Sequence, residues 1–339
     1  MLARRSRIEF PDGTVVTTPL IVPSFSSRGF GFDRGKSKVG EALEYSEAWL
    51  SDLGLISAYD IAYGHLPKTS GLGRFPARLP YSAPKAWIID SGTYEARAEL
   101  DPTQGRLIIA NRKPWNLQLL QRCLDDKVDA RLPIVIVNFD RPGAIHDQIV
   151  SATRLFSRYP SFLRDFLIKP GRREPYVLAD EVVAVGAELA QFNVIGMTEK
   201  ELGGSLIERM ETIARIRSGL DALGVSAPIH IFGSLDPLLS TLYFISGAEI
   251  FDGLTWLYLA GQQDLWIYAD QQTALDHNWL QDEYQRWATR LQRNLTMMGN
   301  LQAMLARFVA TGGSWPVLAT HQDAAENAFG NLVARLGVA

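Results

Sequence analysis

The chain has 339 residues, 47% of them hydrophobic, with 34 Lys and Arg against 37 Asp and Glu and a formal net charge of -3. This balance excludes a basic surface overall, so any nucleic-acid contact must come from a local patch. The single cysteine, Cys123, excludes a disulfide framework and a zinc site built from several cysteines.

The opening Met1-Leu2-Ala3-Arg4-Arg5 leads into a polar, strand-like segment. No stretch approaches the roughly 18 to 20 apolar residues of a membrane span. The expectation is a soluble cytoplasmic protein with no membrane partner. In chain order, short apolar runs then alternate with amphipathic segments, the pattern of βα units. Strands are predicted over 20–25, 55–59, 86–90, 133–139, 166–169, 192–196, 228–232 and 249–252. Helices are predicted between them over 41–52, 115–126, 144–156, 179–190 and 206–223. The last sets Ile207, Met210, Ile213, Ile216 and Leu220 on one face against Glu208, Arg209, Arg215 and Arg217. Eight strands close a (β/α)8 TIM barrel, an α/β fold. From about Asp270 the texture changes to long helices, 279–310 and 322–336, broken at Thr311-Gly312-Gly313-Ser314. The predicted division is a barrel over 1–268 and a helical C-terminal cap over 269–339, its aromatics and Met297-Met298 packing on the barrel.

In such a barrel the functional groups follow the C-terminal ends of the strands. There the chain places Asp60, Asp90, Asp140, Lys169, Gly196-Met197, Gly233 and Asp252. A strand-end aspartate alone reads first as a cap for the next helix; four acids and a lysine at one rim exceed what capping requires. Such acids can move protons, attack carbon or accept hydrogen bonds from a base or sugar. The five histidines are scattered, no acidic metal triad or HExxH helix is present, and Gly71-Leu72-Gly73 and Gly203-Gly204 lack a dinucleotide or P-loop fingerprint. The segment 154–176 mixes Arg154, Arg158, Arg164, Lys169, Arg172 and Arg173 with Phe and Tyr. It suits a nucleic-acid backbone or, equally, a solvated loop.

The succession Asp90-Ser91-Gly92, Val137-Asn138-Phe139-Asp140, Pro228-Ile229-His230-Ile231-Phe232-Gly233-Ser234-Leu235-Asp236-Pro237 and Gly247-Ala248-Glu249-Ile250-Phe251-Asp252 resembles the tRNA-guanine transglycosylase (queuine tRNA-ribosyltransferase) superfamily over residues 15–260. Those enzymes exchange guanine in a polynucleotide for a 7-deazaguanine. The resemblance implies Asp252 as the nucleophile that attacks C1′ and Asp90 as the general acid/base. It implies Asp140, Gly196 and the Gly233 turn at the base pocket, with Lys169 where the family carries a glutamine. The chain departs from the family in lacking its Cys3His zinc set, so no zinc or other cofactor is expected. Thr93-Tyr94-Glu95 and Leu254-Thr255-Trp256-Leu257 also replace family motifs. These departures resemble divergent paralogues that modify DNA or belong to anti-phage defence systems. The expected partners are a 7-deazaguanine-type base and a nucleic acid, DNA or tRNA, with a homodimer or partner protein as a further association. The alternative reading is a non-catalytic subunit that binds a deazapurine, a nucleotide or a partner protein. A third, a glycosidase, needs aromatic platforms, for which Trp256 and Trp266 are the candidates.

Overall fold

In the computed structural model, eight parallel strands close into a barrel. The structure describes residues 2–28, 32–33, 36–50, 52–66, 75, 84–96 and 113–337; Gly71-Leu72-Gly73 lies outside them. A short hairpin, β1 (Arg7–Glu9) and β2 (Val15–Thr17), precedes the first barrel strand, β3 (Leu20–Phe25). A second hairpin, β4 (Phe32–Asp33) and β5 (Lys36–Ser37), separates it from β6 (Leu53–Ser57). The barrel continues through β7 (Ala86–Asp90), β8 (Ile134–Val137), β9 (Leu163–Ile168), β10 (Val194–Thr198), β11 (Ile229–Phe232) and β12 (Ile250–Gly253). β12 pairs back onto β3, Asp252 opposite Val22, so the sheet has no open edge.

Strand alternation divides the apolar residues into two cores. Leu20, Val22, Leu53, Leu55, Ile88, Val135, Val137, Leu163, Leu167, Val194 and Ile250 fill the interior. Ile8, Phe10 and Val16 of the β1–β2 hairpin join them, plugging the end from which the strands start. The other face of each strand (Ile21, Ile56, Ile89, Ile136, Phe166, Ile195, Ile231, Phe251) meets the helical mantle. That mantle includes α1 (Val39–Ser46), α2 (Ala58–Tyr63), α3 (Thr93–Ala96), α4 (Leu117–Lys127), α5 (Ile145–Phe156), α6 (Ala179–Ala184), α7 (Gly186–Leu189), α8 (Leu206–Ala222) and α9 (Pro237–Ile245).

Local chemistry sets these boundaries. Asn116 caps α4 through Leu119 N, Ser205 and Glu208 form a capping box on α8, and Asp236 caps α9 with Pro237 in its first turn. The predicted strand 166–169 in fact begins at Leu163, so Asp165 is a barrel residue. Arg217, expected on the polar face of α8, is fully buried. It donates to the carbonyls of Val225 and Ala227 and pairs with Asp221 at 2.6 Å. A guanidinium can point inward from a helix when backbone carbonyls take its two terminal nitrogens, as here, where Nε alone is left without a hydrogen bond.

The Gly-Ala-Glu-Ile-Phe-Asp block is explained position by position. Gly247 has φ +111°, and a side chain there would run into Arg217. Glu249 is buried and holds the N-terminal segment, accepting from Arg4 Nε at 3.0 Å and Thr18 Oγ1 at 2.8 Å. Ile250 joins the interior core and Phe251 the mantle, so alternation directs Asp252 inward.

Beyond β12 come a short helix α10 (Thr255–Tyr258), a hairpin of β13 (Leu259–Gln262) and β14 (Leu265–Tyr268), and α11 (Ala269–Leu275), none of them foreseen in the sequence. The two long helices are α12 (Glu283–Ala310) and α13 (Gln322–Leu336), joined by a 3-10 segment, Trp315–His321. Asp282 caps α12, which therefore starts after Trp279, inside the predicted range. Leu291, Leu295, Met297, Met298, Leu301, Leu305 and Phe308 form its buried stripe, each worth about 1.5–3 kcal/mol on full burial. Asn294 fastens the hairpin by donating to Trp256 O and Leu259 O and accepting from Gly261 N. Packing thus accounts for Met297 and Met298, whereas Trp279 and Tyr284 are exposed. Among the described residues, no helix is long and apolar enough to cross a membrane.

Candidate active site at the barrel mouth

Asp252 ends β12 facing inward, 6% exposed. Its Oδ2 accepts from Ser24 Oγ of β3 at 2.6 Å, and its Oδ1 accepts from Gly233 N at 3.2 Å. Gly233 turns the chain out of β11 at φ +78°, which a side chain disfavours although space is open there. His230 Nε2 lies 3.3 Å from the same Oδ1, at ion-pair distance but without a hydrogen bond. The other ring nitrogen, Nδ1, is 2.7 Å from Asp165 Oδ2 of β9, and both residues are fully buried. The Phe232 ring lies 3.9 Å from that of His230, centre to centre. Burial acts to lower the His230 pKa, but the Asp165 and Asp252 carboxylates outweigh it and bring it up to about 9. For Asp165 burial wins and the pKa goes up, with the His230 charge pulling it back.

Across the mouth the environment is acidic. Asp90 ends β7, and Gly92 N donates to its Oδ2 at 3.3 Å. Gly92 is required by its φ of +81° and by contact with the Tyr59 backbone. Glu95, in α3, accepts from Ser26 Oγ and, at 2.7 Å, from Ser57 Oγ. Asp60, expected at a strand end, sits buried in the first turn of α2, accepting from Ser27 N and facing His65 Nδ1 at 2.7 Å. Burial first, then the charge of Asp60, pushes Glu95 up to about 7 against the two serine hydrogen bonds. Asp90 is pushed well above the usual carboxylate range, first by burial, then by Glu95 and Asp140; the Gly92 amide opposes this and Asp252 adds to it.

Asp140 and Lys169 complete the rim. Asp140 follows β8, accepts from Ser91 Oγ at 3.1 Å and lies 3.8 Å from Lys169 Nζ. That ammonium is buried, 3.0 Å from Thr198 Oγ1 and 2.6 Å from Glu201. Its backbone is held by both ends of the Gln148 amide. Gly196 lies inside the barrel, where a side chain would collide with Asp165 Oδ1 and the Phe232 ring; its absence makes room for those groups. Among the described residues no cluster of three or more His, Cys, Asp or Glu could hold a metal ion.

The basic segment does not form one surface. Arg164 lies near the start of β9 at the plugged end of the barrel, while Lys169 and the exposed Arg172 and Arg173 follow β9 at the mouth. Trp256 is wholly buried, donating to Ser24 O, so it is core rather than a sugar platform.

Sequence reasoning thus named Asp252, Asp90, Asp140, Lys169 and Gly233, which line the mouth, but missed His230, Asp165 and the Ser24 contact. The available signal was a charged residue at an inward position of a barrel strand. Asp165 alternates with Leu163 and Leu167, and His230 with Phe232. No protein-family model matches the chain, and no curated protein matches it. The fold and the mouth define a (β/α)8 barrel whose C-terminal face carries two carboxylates in opposite electrostatic settings.

Proposed function

We propose that this protein is a transglycosylase that exchanges a guanine-type base for a 7-deazaguanine derivative in a nucleic acid, DNA or tRNA. The observation that carries the reading is the pairing of two unlike carboxylates. Asp90 is surrounded by other acids and pushed toward its protonated form, whereas Asp252 accepts hydrogen bonds from Ser24 and Gly233 and faces His230. Paired carboxyls with divided environments are the usual basis of acid and nucleophile roles at a sugar carbon.

In the first displacement an Asp252 oxygen bonds to C1′ while the bond from C1′ to the departing base breaks, and Asp90 gives that base its proton. In the second, Asp90 takes a proton from the incoming base, whose nitrogen bonds to C1′ as the Asp252 carboxylate leaves. Two displacements retain configuration. Asp140 and Lys169 would meet the base edge, Lys169 as a point-charge donor to a carbonyl or anionic substituent.

The test is trapping. Protein and its Asp252→Asn variant are incubated with labelled tRNA, single-stranded DNA and duplex DNA, with and without a 7-deazaguanine. An adduct that survives denaturation with one polymer and disappears in the variant supports the reading. No adduct with any polymer, while the deazaguanine still binds, favours the non-catalytic binding subunit.

A further inference from the structure

Two buried ionisable groups, Asp165 and His230, take no part in the exchange just described. Their barrel neighbours at equivalent inward positions, Leu163, Leu167 and Phe232, are apolar. A charged pair there costs desolvation that another leucine would avoid, so packing does not explain it.

The contacts suggest what it does. His230 Nδ1 meets Asp165 Oδ2 at 2.7 Å, and Nε2 faces Asp252 Oδ1 at 3.3 Å. The first is a hydrogen bond; at the second Nε2 makes none and stands at ion-pair distance. A neutral ring with its proton on Nδ1 would set the Nε2 lone pair against the Asp252 carboxylate, whereas a charged ring is attracted to the carboxylates on both sides. Asp165 Oδ1 and His230 Nε2 both lack a hydrogen-bond partner, so the charge of the ring is what answers the two carboxylates. The groups packed around the ring fit this assignment: β9 presents Asp165, β12 presents Asp252, β10 presents Gly196 beside it, and Phe232 covers it.

We propose that the Asp165–His230 pair is a positioning device for Asp252, an assignment that rests on the transglycosylase reading: Asp165 pins the ring through Nδ1, and the imidazolium charge, with Nε2 3.3 Å from Oδ1, holds the carboxylate in place. The same charge faces the carboxylate as it departs in the second displacement, so the pair serves both halves of the exchange. Gly196 acts with it, since any side chain there would displace Asp165 Oδ1.

The test joins a spectroscopic and a kinetic measurement. 15N NMR on histidine-labelled protein at pH 7 reads the charge of His230, whose signals are identified by their loss in His230→Gln or, should that variant not fold, by their shift in Asp165→Asn. The expected result is a doubly protonated ring in the wild-type protein that becomes neutral in Asp165→Asn. That variant should form the adduct about 10- to 100-fold more slowly, with the KM for the incoming base unchanged. A His230 ring that is neutral at pH 7 in the wild-type protein, or an Asp165→Asn variant of undiminished rate, overturns the inference. Failure of the wild-type protein to form an adduct with any polymer overturns the transglycosylase reading and this role with it, even where the ring is charged.

Discussion

The two sides of the barrel mouth carry the same functional group and treat it in opposite ways. On the β11–β12–β3 side, Asp252 is held by a serine hydroxyl, a backbone amide and a histidine whose pKa is raised to about 9. On the β6–β7–α3 side, Asp90 stands near Glu95 and Asp140, and Glu95 is itself pushed up to about 7 by burial and Asp60. The carboxyl group does not decide its own role. In the proposed exchange, neighbouring donors on one side and neighbouring acids on the other would divide nucleophile from proton carrier.

That contrast can be broken from either side. The largest effect is expected at Asp252: replacement by Asn should abolish the trapped adduct and reduce exchange by roughly 10^4-fold or more, measured on variant protein shown by circular dichroism to be folded. An adduct surviving in this variant would transfer the nucleophile role elsewhere. Asp90→Asn should cost about 10²- to 10⁴-fold in exchange, measured with saturating base, and should erase the alkaline limb of the pH–rate profile, because the raised carboxyl acts first as an acid.

Glu95 sharpens the comparison through stability. Its pKa is about 7 in the fold against an ordinary 4.5, so the folded state holds a proton that the unfolded chain releases. Its cost to stability is absent below pH 4.5, grows between 4.5 and 7, and is complete above that. Glu95→Gln should therefore stabilise the protein at pH 8 by a few kcal/mol at most, at about 1.4 kcal/mol per unit, and leave it unchanged at pH 4. Thermal melts at the two pH values decide this. Removing the Glu95 charge should also move the alkaline limb of exchange to lower pH. The smallest effect is expected at Gly196→Ala, where the added methyl meets Asp165 Oδ1 and Phe232. A loss of about 1–3 kcal/mol by chemical denaturation is expected, and a neutral outcome would show that Asp165 can move aside.

Much of the architecture was legible because it is written in local periodicity. Short apolar runs placed all eight barrel strands, two of them, Leu20–Phe25 and Ala86–Asp90, with the observed ends. Helix α13 was placed at Gln322–Leu336. Asp252 and Asp90 were legible for the same reason, since a strand followed by a turn marks the rim. The hairpin β13–β14 was not legible, because its four-residue strands owe their place to Asn294 on a helix far along the chain.

The sequence by itself determined which residues could form strands, which faces they buried, and where carboxylates would meet the rim, because alternation and turn chemistry act over a few residues. Only the tertiary structure decided which charges became neighbours. Closing β12 onto β3 brings Ser24 to Asp252, and the order β9–β10–β11–β12 brings Asp165 and His230 beneath it. Electrostatic partners in a barrel are set by register between strands distant in sequence, and no local pattern encodes that.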